Sequence, residues 1–162
     1  MEELAITGVV GCWAFWDIFL EPWFWCGFGG WIVASVIKII VTAAKTREID
    51  FERLISTGGM PSSHSATVSG LAFGIGYTEG FGTPIATLAV AFAIITMFDA
   101  ATVRKAAGEH AKILNAMLKD IKEKDFKPQK RLRELLGHTR PEVYCGMATG
   151  ILWAALVCWL WR

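Results

Sequence analysis

The chain has 162 residues, of which 54% are hydrophobic and 19% are charged, and its formal net charge is +1. This length is that of a single domain, and a charge so close to neutral gives no indication of a nucleic-acid partner. Long apolar segments separated by charged loops predict an integral membrane protein rather than a soluble domain.

Five apolar segments follow one another along a single membrane domain that covers residues 1–162. They are predicted at 4–20, 23–44, 63–80, 83–103 and 143–161. Crossing the hydrocarbon takes about 20 apolar residues, a length that the second, fourth and fifth segments meet and the first and third do not. The sequence therefore predicts an all-α, polytopic transmembrane bundle of about five spans, with loops at 45–62 and 104–141.

The orientation of this bundle follows from its basic residues. Of the 16 lysines and arginines, three lie in the first loop and eleven between Arg104 and Arg140. The positive-inside rule places both loops in the cytoplasm. We expect an integral protein of the plasma (inner) membrane. Trp23, Trp25, Trp159 and Trp161 would then lie near the outer interface, where an aromatic belt is expected.

The long basic loop begins with a helical pattern. Its apolar residues are Val103, Ala107, Ile113, Leu114, Met117, Leu118 and Ile121, while lysines occupy other faces. This spacing predicts a cytoplasmic amphipathic helix that continues from the fourth span and lies on the protein or on the membrane surface.

The four cysteines, Cys12, Cys26, Cys145 and Cys158, lie within or beside apolar segments. No pair has the spacing of a metal site that includes histidine, so no metal site is predicted. We interpret them as small apolar side chains of membrane helices.

The most informative motif precedes the third span and reads Gly58-Gly59-Met60-Pro61-Ser62-Ser63-His64. The glycines permit a tight turn, and proline and serine are favoured where a helix begins. N–H groups, hydroxyls and an imidazole would converge at the positive end of a helix dipole. This combination is typical of a phosphate pocket.

Polar residues also mark the cytoplasmic ends of the other spans. Lys38 and Arg47 lie at the end of the second span, Asp99 and Arg104 at the end of the fourth, and His138 and Glu142 before the fifth. Phosphoryl transfer needs such a set, because cations and N–H groups stabilise the phosphoryl oxygens while a nucleophile and an acid perform the chemistry.

These residues resemble a known family. The Gly-Gly-Met-Pro-Ser-Ser-His run, Asp99 to Gly108, and Leu136 to Val143 are similar to the divergent branch of the type 2 phosphatidic acid phosphatase superfamily, which includes acid phosphatases and vanadium haloperoxidases. The resemblance covers the chain from about Ile37 onward. It implies a phosphohistidine mechanism without a metal or other cofactor.

The resemblance also assigns the phosphate-binding residues. Lys38 and Arg47 correspond to the family's Lys-x6-Arg-Pro motif, although eight residues separate them and no proline follows Arg47. Ser62 and Ser63 correspond to the serine and glycine of Pro-Ser-Gly-His, and Arg104 to the arginine of the third motif. Lysine snorkelling and an ordinary cytoplasmic arginine are the alternative interpretations of Lys38 and Arg47.

The catalytic residues are assigned in the same way. His64 ends the second motif, and His138-x3-Glu142 reproduces the third motif's His-x3-Asp, with glutamate for aspartate. His138 is the predicted nucleophile; His110, at the family's literal spacing from Arg104, is the alternative, although no carboxylate follows it four residues later. Glu142 also fits a capping box with Thr139.

Asp99 has two interpretations as well. It either pairs with a neighbouring cation at a helix end or positions Arg104 for the phosphate.

We predict a phosphatase acting on a phospholipid or isoprenoid phosphate or pyrophosphate at the cytoplasmic membrane face. The alternative is a non-catalytic protein that binds or translocates such lipids. Five short helices enclose a polar site poorly, which is compatible with a homodimer.

Overall fold

The computed structural model describes residues 16–47, 59–121 and 137–162, and these residues form helices joined by turns, without a strand. A 3-10 helix at Trp16–Leu20 precedes five α-helices. They are α1 (Pro22–Thr46), α2 (Ser63–Glu79), α3 (Pro84–Ala101), α4 (Val103–Ile121) and α5 (Arg140–Leu160). The all-α prediction is confirmed. Most of the predicted span at 4–20 lies outside the described residues.

Local sequence signals set the helix starts. α3 follows Thr83, whose Oγ1 accepts a hydrogen bond from the Ala86 N–H at 3.4 Å, and Pro84 is its first residue. α1 and α5 likewise carry a proline in their first turn, where the missing N–H costs nothing. α1 ends at Thr46 and is capped by Arg47, which adopts a left-handed conformation with φ of 59° and donates its N–H to the Ala43 carbonyl.

Three stretches are long and apolar enough to cross a membrane: Pro22–Ala44, Pro84–Leu118 and Arg140–Leu160. α2 has only 17 residues and is shorter than the usual span. The large apolar side chains of α3 are exposed, among them Leu88, Ile95 and Phe98. Such side chains face lipid in a membrane protein, so hydrocarbon would cover the surface that α3 presents.

Small residues form the interface of α1, α2 and α5. A Cβ atom at Gly70 of α2 would lie 3.1 Å from the Gly150 carbonyl oxygen and would overlap that of Cys26. A Cβ at Gly146 would lie 3.0 Å from that of Ser65. The three backbones therefore approach closely, as helices do in membranes when small residues line their interfaces.

The two ends of the bundle carry different residues. The ends of α1 and α3 lie beside the starts of α2 and α5, and we call this the basic end. At the opposite, distal end, Trp23 of α1 donates a hydrogen bond to the Thr78 hydroxyl of α2, and the Arg162 guanidinium lies 5.3 Å from the centre of the Tyr77 ring.

The predicted amphipathic helix is present as α4. It begins after a break at Thr102, whose φ of −121° and ψ of −72° interrupt the path of α3. Its large apolar residues are exposed: Val103, Ile113, Leu114 and Met117. The described protein therefore does not cover this apolar stripe.

Candidate active site

The glycine-rich motif forms a turn that covers Lys38. Gly59 has φ of +91°, a value that favours glycine, and a Cβ added there would lie 3.2 Å from Cδ of Lys38. The Ser62 N–H donates to the Glu142 carbonyl at 3.1 Å, which fixes the end of the turn to the start of α5. The turn therefore brings the start of α2 into contact with both α1 and α5.

Ser62 caps α2. Its Oγ accepts hydrogen bonds from the Ser65 N–H at 3.3 Å and from the Ser65 hydroxyl at 3.0 Å. The side chains of Ser62 and Ser63 are both buried. Two of the predicted phosphate-binding residues thus lie at the helix start, with the Ser62 oxygen already engaged as a helix cap. The following residue, His64, is only half-buried.

Backbone geometry places His138 at the junction of α3 and α4. Gly137 has φ of +98°, and a Cβ there would overlap the backbone of Lys105. The His138 N–H donates to the Ala100 carbonyl at 3.0 Å. Because α3 ends at Ala101, that carbonyl belongs to the last turn, whose oxygens lack partners within the helix. The sequence motif includes Gly137, but sequence reasoning did not predict its contact with the backbone of Lys105.

Glu142 makes both of the contacts that the sequence left open, one with the His138 ring and one with the start of α5. Its Oε2 lies 3.0 Å from Nδ1 of His138 and accepts a hydrogen bond from the Thr139 N–H at 3.3 Å. The second contact is one half of a capping box. The first requires a proton on Nδ1 of His138 when the carboxylate is ionised, and in the neutral ring this leaves a lone pair on Nε2.

The Nε2 atom of His138 is buried and has no hydrogen-bond partner within the part of the chain that the structure describes. The residue is only 3% exposed, and its ring centre lies 6.3 Å from that of His64. An unsatisfied polar atom is costly in a buried site, so a ligand or water that paired with this nitrogen would stabilise the site. The two imidazoles therefore lie close together.

Lys38 is buried among these groups. It is 1% exposed, and its charge acts on His64 and is attracted to Glu142. A snorkelling lysine would extend its ammonium group into solvent, which does not agree with this burial. A buried ionisable group within a span usually has a function.

Arg104 adds a second cation. Its Nε donates to Oδ2 of Asp99 at 2.8 Å, so Asp99 both neutralises and orients the guanidinium. The positive charge of Arg104 also acts on His64. Both interpretations of Asp99, ion pairing and positioning of Arg104, describe this one contact.

Two predicted residues lie apart from this cluster. Arg47 is exposed at the end of α1, about 13 Å along the helix axis from Lys38. His110 is exposed on α4, about 9 Å beyond Arg104 along the axis and about 120° around it. The site that the described residues form therefore comprises His64, Lys38, Arg104, His138 and Glu142, with Asp99 behind Arg104.

The sequence of this chain, including these residues, is similar to that of other proteins. The sequence profile described as Divergent PAP2 family matches residues 19–153. The uncharacterized membrane protein YuiD of Bacillus subtilis (strain 168) is 42% identical over 132 residues, which cover 75% of this chain and 84% of YuiD. No solved structure matches the chain. The profile match extends across every residue of the site, from Lys38 to Glu142.

Proposed function

The chain belongs to the divergent PAP2 family, and on this premise we propose that it is a membrane phosphatase. Its substrate would be a lipid-linked phosphate monoester or pyrophosphate, hydrolysed at the cytoplasmic membrane face through a phosphohistidine. One observation carries the proposal: His138 is held by Glu142 at 3.0 Å, its Nε2 has no partner among the described residues, and its ring centre lies 6.3 Å from that of His64.

In the first step, Nε2 of His138 attacks phosphorus, and the bond from phosphorus to the leaving oxygen breaks. His64 gives its proton to that oxygen, while Glu142 stabilises the positive charge on the His138 ring. Lys38, Arg104 and the N–H groups at the start of α2 stabilise the negative charge on the phosphoryl oxygens. Ser62 holds that helix start in place.

In the second step, water attacks the phosphohistidine, and His64 accepts a proton from it. The nitrogen–phosphorus bond breaks, inorganic phosphate leaves, and both histidines return to their initial states. The first step needs a neutral His138 and a protonated His64. The pH–rate profile is therefore expected to be bell-shaped.

The position of the site supports a lipid substrate. The site lies where the apolar helices α1, α3 and α5 reach the basic end. If these helices cross the bilayer, the site would lie near the depth of the lipid headgroups. The exposed apolar side chains of α3, including Phe98, lie directly before the Asp99–Arg104 pair. A phosphate could therefore enter the site while its hydrocarbon tail stays in the bilayer.

The test is phosphate release by the purified protein from a short-chain phosphatidate, in the presence of a chelator. We expect turnover by the wild type, a loss of at least 100-fold in His64→Ala and near-normal rates in His110→Ala, the matched control. Saturable binding of the same lipid without turnover would instead favour the non-catalytic lipid-phosphate protein and would contradict the phosphatase.

A further inference from the structure

Two of the cysteines meet at the distal end of the bundle. Sγ of Cys26 in α1 lies 3.8 Å from Sγ of Cys158 in α5, although 132 positions separate them in sequence. Both thiols are buried, at 0% and 4% exposure. We propose that Cys26 and Cys158 are an oxidisable pair that forms an intramolecular disulfide joining α1 to α5.

The surrounding packing brings the two thiols into van der Waals contact. Cys26 lies where three helices meet, and its Sγ also approaches the Ala154 carbonyl at 3.8 Å. A Cβ at Gly74 of α2 would lie 2.8 Å from the Cys26 Sγ, so the glycine leaves room for the thiol. A disulfide needs the sulfurs at about 2.05 Å, which requires them to approach by roughly 2 Å more. Rotation of the two side chains can provide part of this approach.

One of the thiols has a route to small molecules. Cys158 lines a cleft of about 140 Å³ at the distal end, together with Pro22, Tyr77, Thr78, Trp161 and Arg162. Cys26 lies behind it, fully buried. An oxidant that enters the cleft would therefore meet Cys158 first.

The chemistry is thiol–disulfide exchange with a low-molecular-weight disulfide as the oxidant. The Cys158 thiol loses its proton and attacks one sulfur of the oxidant, which releases one thiol and leaves a mixed disulfide. The Cys26 thiol then loses its proton and attacks Sγ of Cys158, which expels the second thiol. Two cysteines are oxidised, and the oxidant is reduced to two thiols that take up both protons.

In the expected orientation, the distal end lies in a compartment where a disulfide persists. The distal end lies opposite the basic end, so the positive-inside rule assigns it to the outer face, where disulfides persist. The bond would join the two helices whose other ends carry Lys38 and the His138–Glu142 pair. The proposal does not depend on phosphatase activity, because it concerns only the distal end.

The test treats the purified full chain with oxidised glutathione, denatures it, blocks the remaining thiols with a maleimide and identifies the cross-linked peptides by mass spectrometry. We expect two fewer maleimide-reactive thiols than in the reduced protein and a single cross-link between Cys26 and Cys158. Cys145→Ser, which removes a half-buried thiol at the other end of α5, should retain that cross-link.

The melting temperature provides a second, independent test of the disulfide. The wild-type protein should melt at a higher temperature when oxidised than after reduction, because a long closed loop restricts the unfolded chain. Cys158→Ser should show no such difference. Four reactive thiols after oxidation, or a cross-link from either cysteine to Cys12 or Cys145, would overturn the proposal.

Discussion

His138 is held by contacts of both its backbone and its side chain. Its N–H bonds to the Ala100 carbonyl, and its Nδ1 contacts Glu142, which also bonds to the Thr139 N–H. One carboxylate therefore contributes to the start of α5 and to the orientation of the proposed nucleophile. These two contributions can be separated by substitution.

Glu142→Gln should separate them. Glutamine still serves in a capping box, so the melting temperature should fall less than in Glu142→Ala. Phosphate release should fall about 100-fold or more, because a neutral amide stabilises the imidazolium poorly and does not fix the tautomer. Glu142→Ala should lose the same activity and also about 1 kcal/mol of unfolding free energy. Equal activity of Glu142→Gln and the wild type would contradict the orienting role.

The sequence could predict part of this arrangement of side chains. His138 and Glu142 are four positions apart at a helix start, so local geometry alone brings them together. The spacing of Arg47 from Lys38 could not show that Arg47 lies at the exposed end of α1. The contact between Gly59 and the Lys38 stem joins distant parts of the chain and has no local signal.

At the scale of elements, the site depends on how the start of α5 meets the junction of α3 and α4. Gly137 makes this contact, since its φ is +98° and its Cα faces the backbone of Lys105. A side chain at this position is both strained and obstructed.

Gly137→Ala should therefore displace His138. A left-handed conformation costs an alanine about 1–2 kcal/mol, and the overlap with Lys105 adds to this cost. We expect a lower melting temperature and at least a tenfold loss of phosphate release. Gly82→Ala is the matched control, because a Cβ at Gly82 meets no atom within 4 Å, and it should stay within about 0.5 kcal/mol of the wild type. Similar behaviour of the two variants would contradict this role of Gly137.

α4 presents its exposed apolar stripe and its lysines on different faces. Met117 lies on the stripe, while Lys112 is also exposed but about 140° away around the axis. The sequence predicted the amphipathic pattern but left open whether protein or membrane covers it. The exposure of the stripe favours the membrane surface, which a basic amphipathic helix binds.

Spin labels can test this placement in vesicles that contain anionic lipid. A label at Met117→Cys should be accessible to oxygen, which concentrates in hydrocarbon, and protected from a water-soluble nickel chelate. A label at Lys112→Cys should show the opposite preference, with the unsubstituted protein carried through labelling as the blank. Strong collisions of both labels with the nickel chelate would mean that α4 projects into water.

For the whole molecule, the fold class could be predicted from hydropathy and charge, because the bilayer directly constrains both properties. Helices are required where backbone groups lose water, and the long apolar segments became α1, α3 and α5. The packing of α2 could not be predicted from hydropathy, because it depends on close approaches at Gly70 and Gly146. α2 is central to the bundle despite being too short to qualify as a span by length.

The orientation of the bundle leads to a labelling prediction. Gly82→Cys, in the turn between α2 and α3, should react with a membrane-impermeant maleimide added to intact cells. Lys112→Cys at the basic end should react only after permeabilisation, because the basic loops are expected in the cytoplasm. The reverse pattern would place the proposed active site on the outer face and exclude substrates confined to the inner leaflet.

In the proposed mechanism, His138 carries the phosphoryl group during turnover. The direct measurement is to quench a reaction with radiolabelled short-chain phosphatidate and to assay acid-labile, base-stable phosphate on the protein. We expect label on the wild type and on His110→Ala, and none on His138→Ala when its melting temperature matches that of the wild type. Label that persists on His138→Ala and disappears from His110→Ala would show that His138 is not the nucleophile.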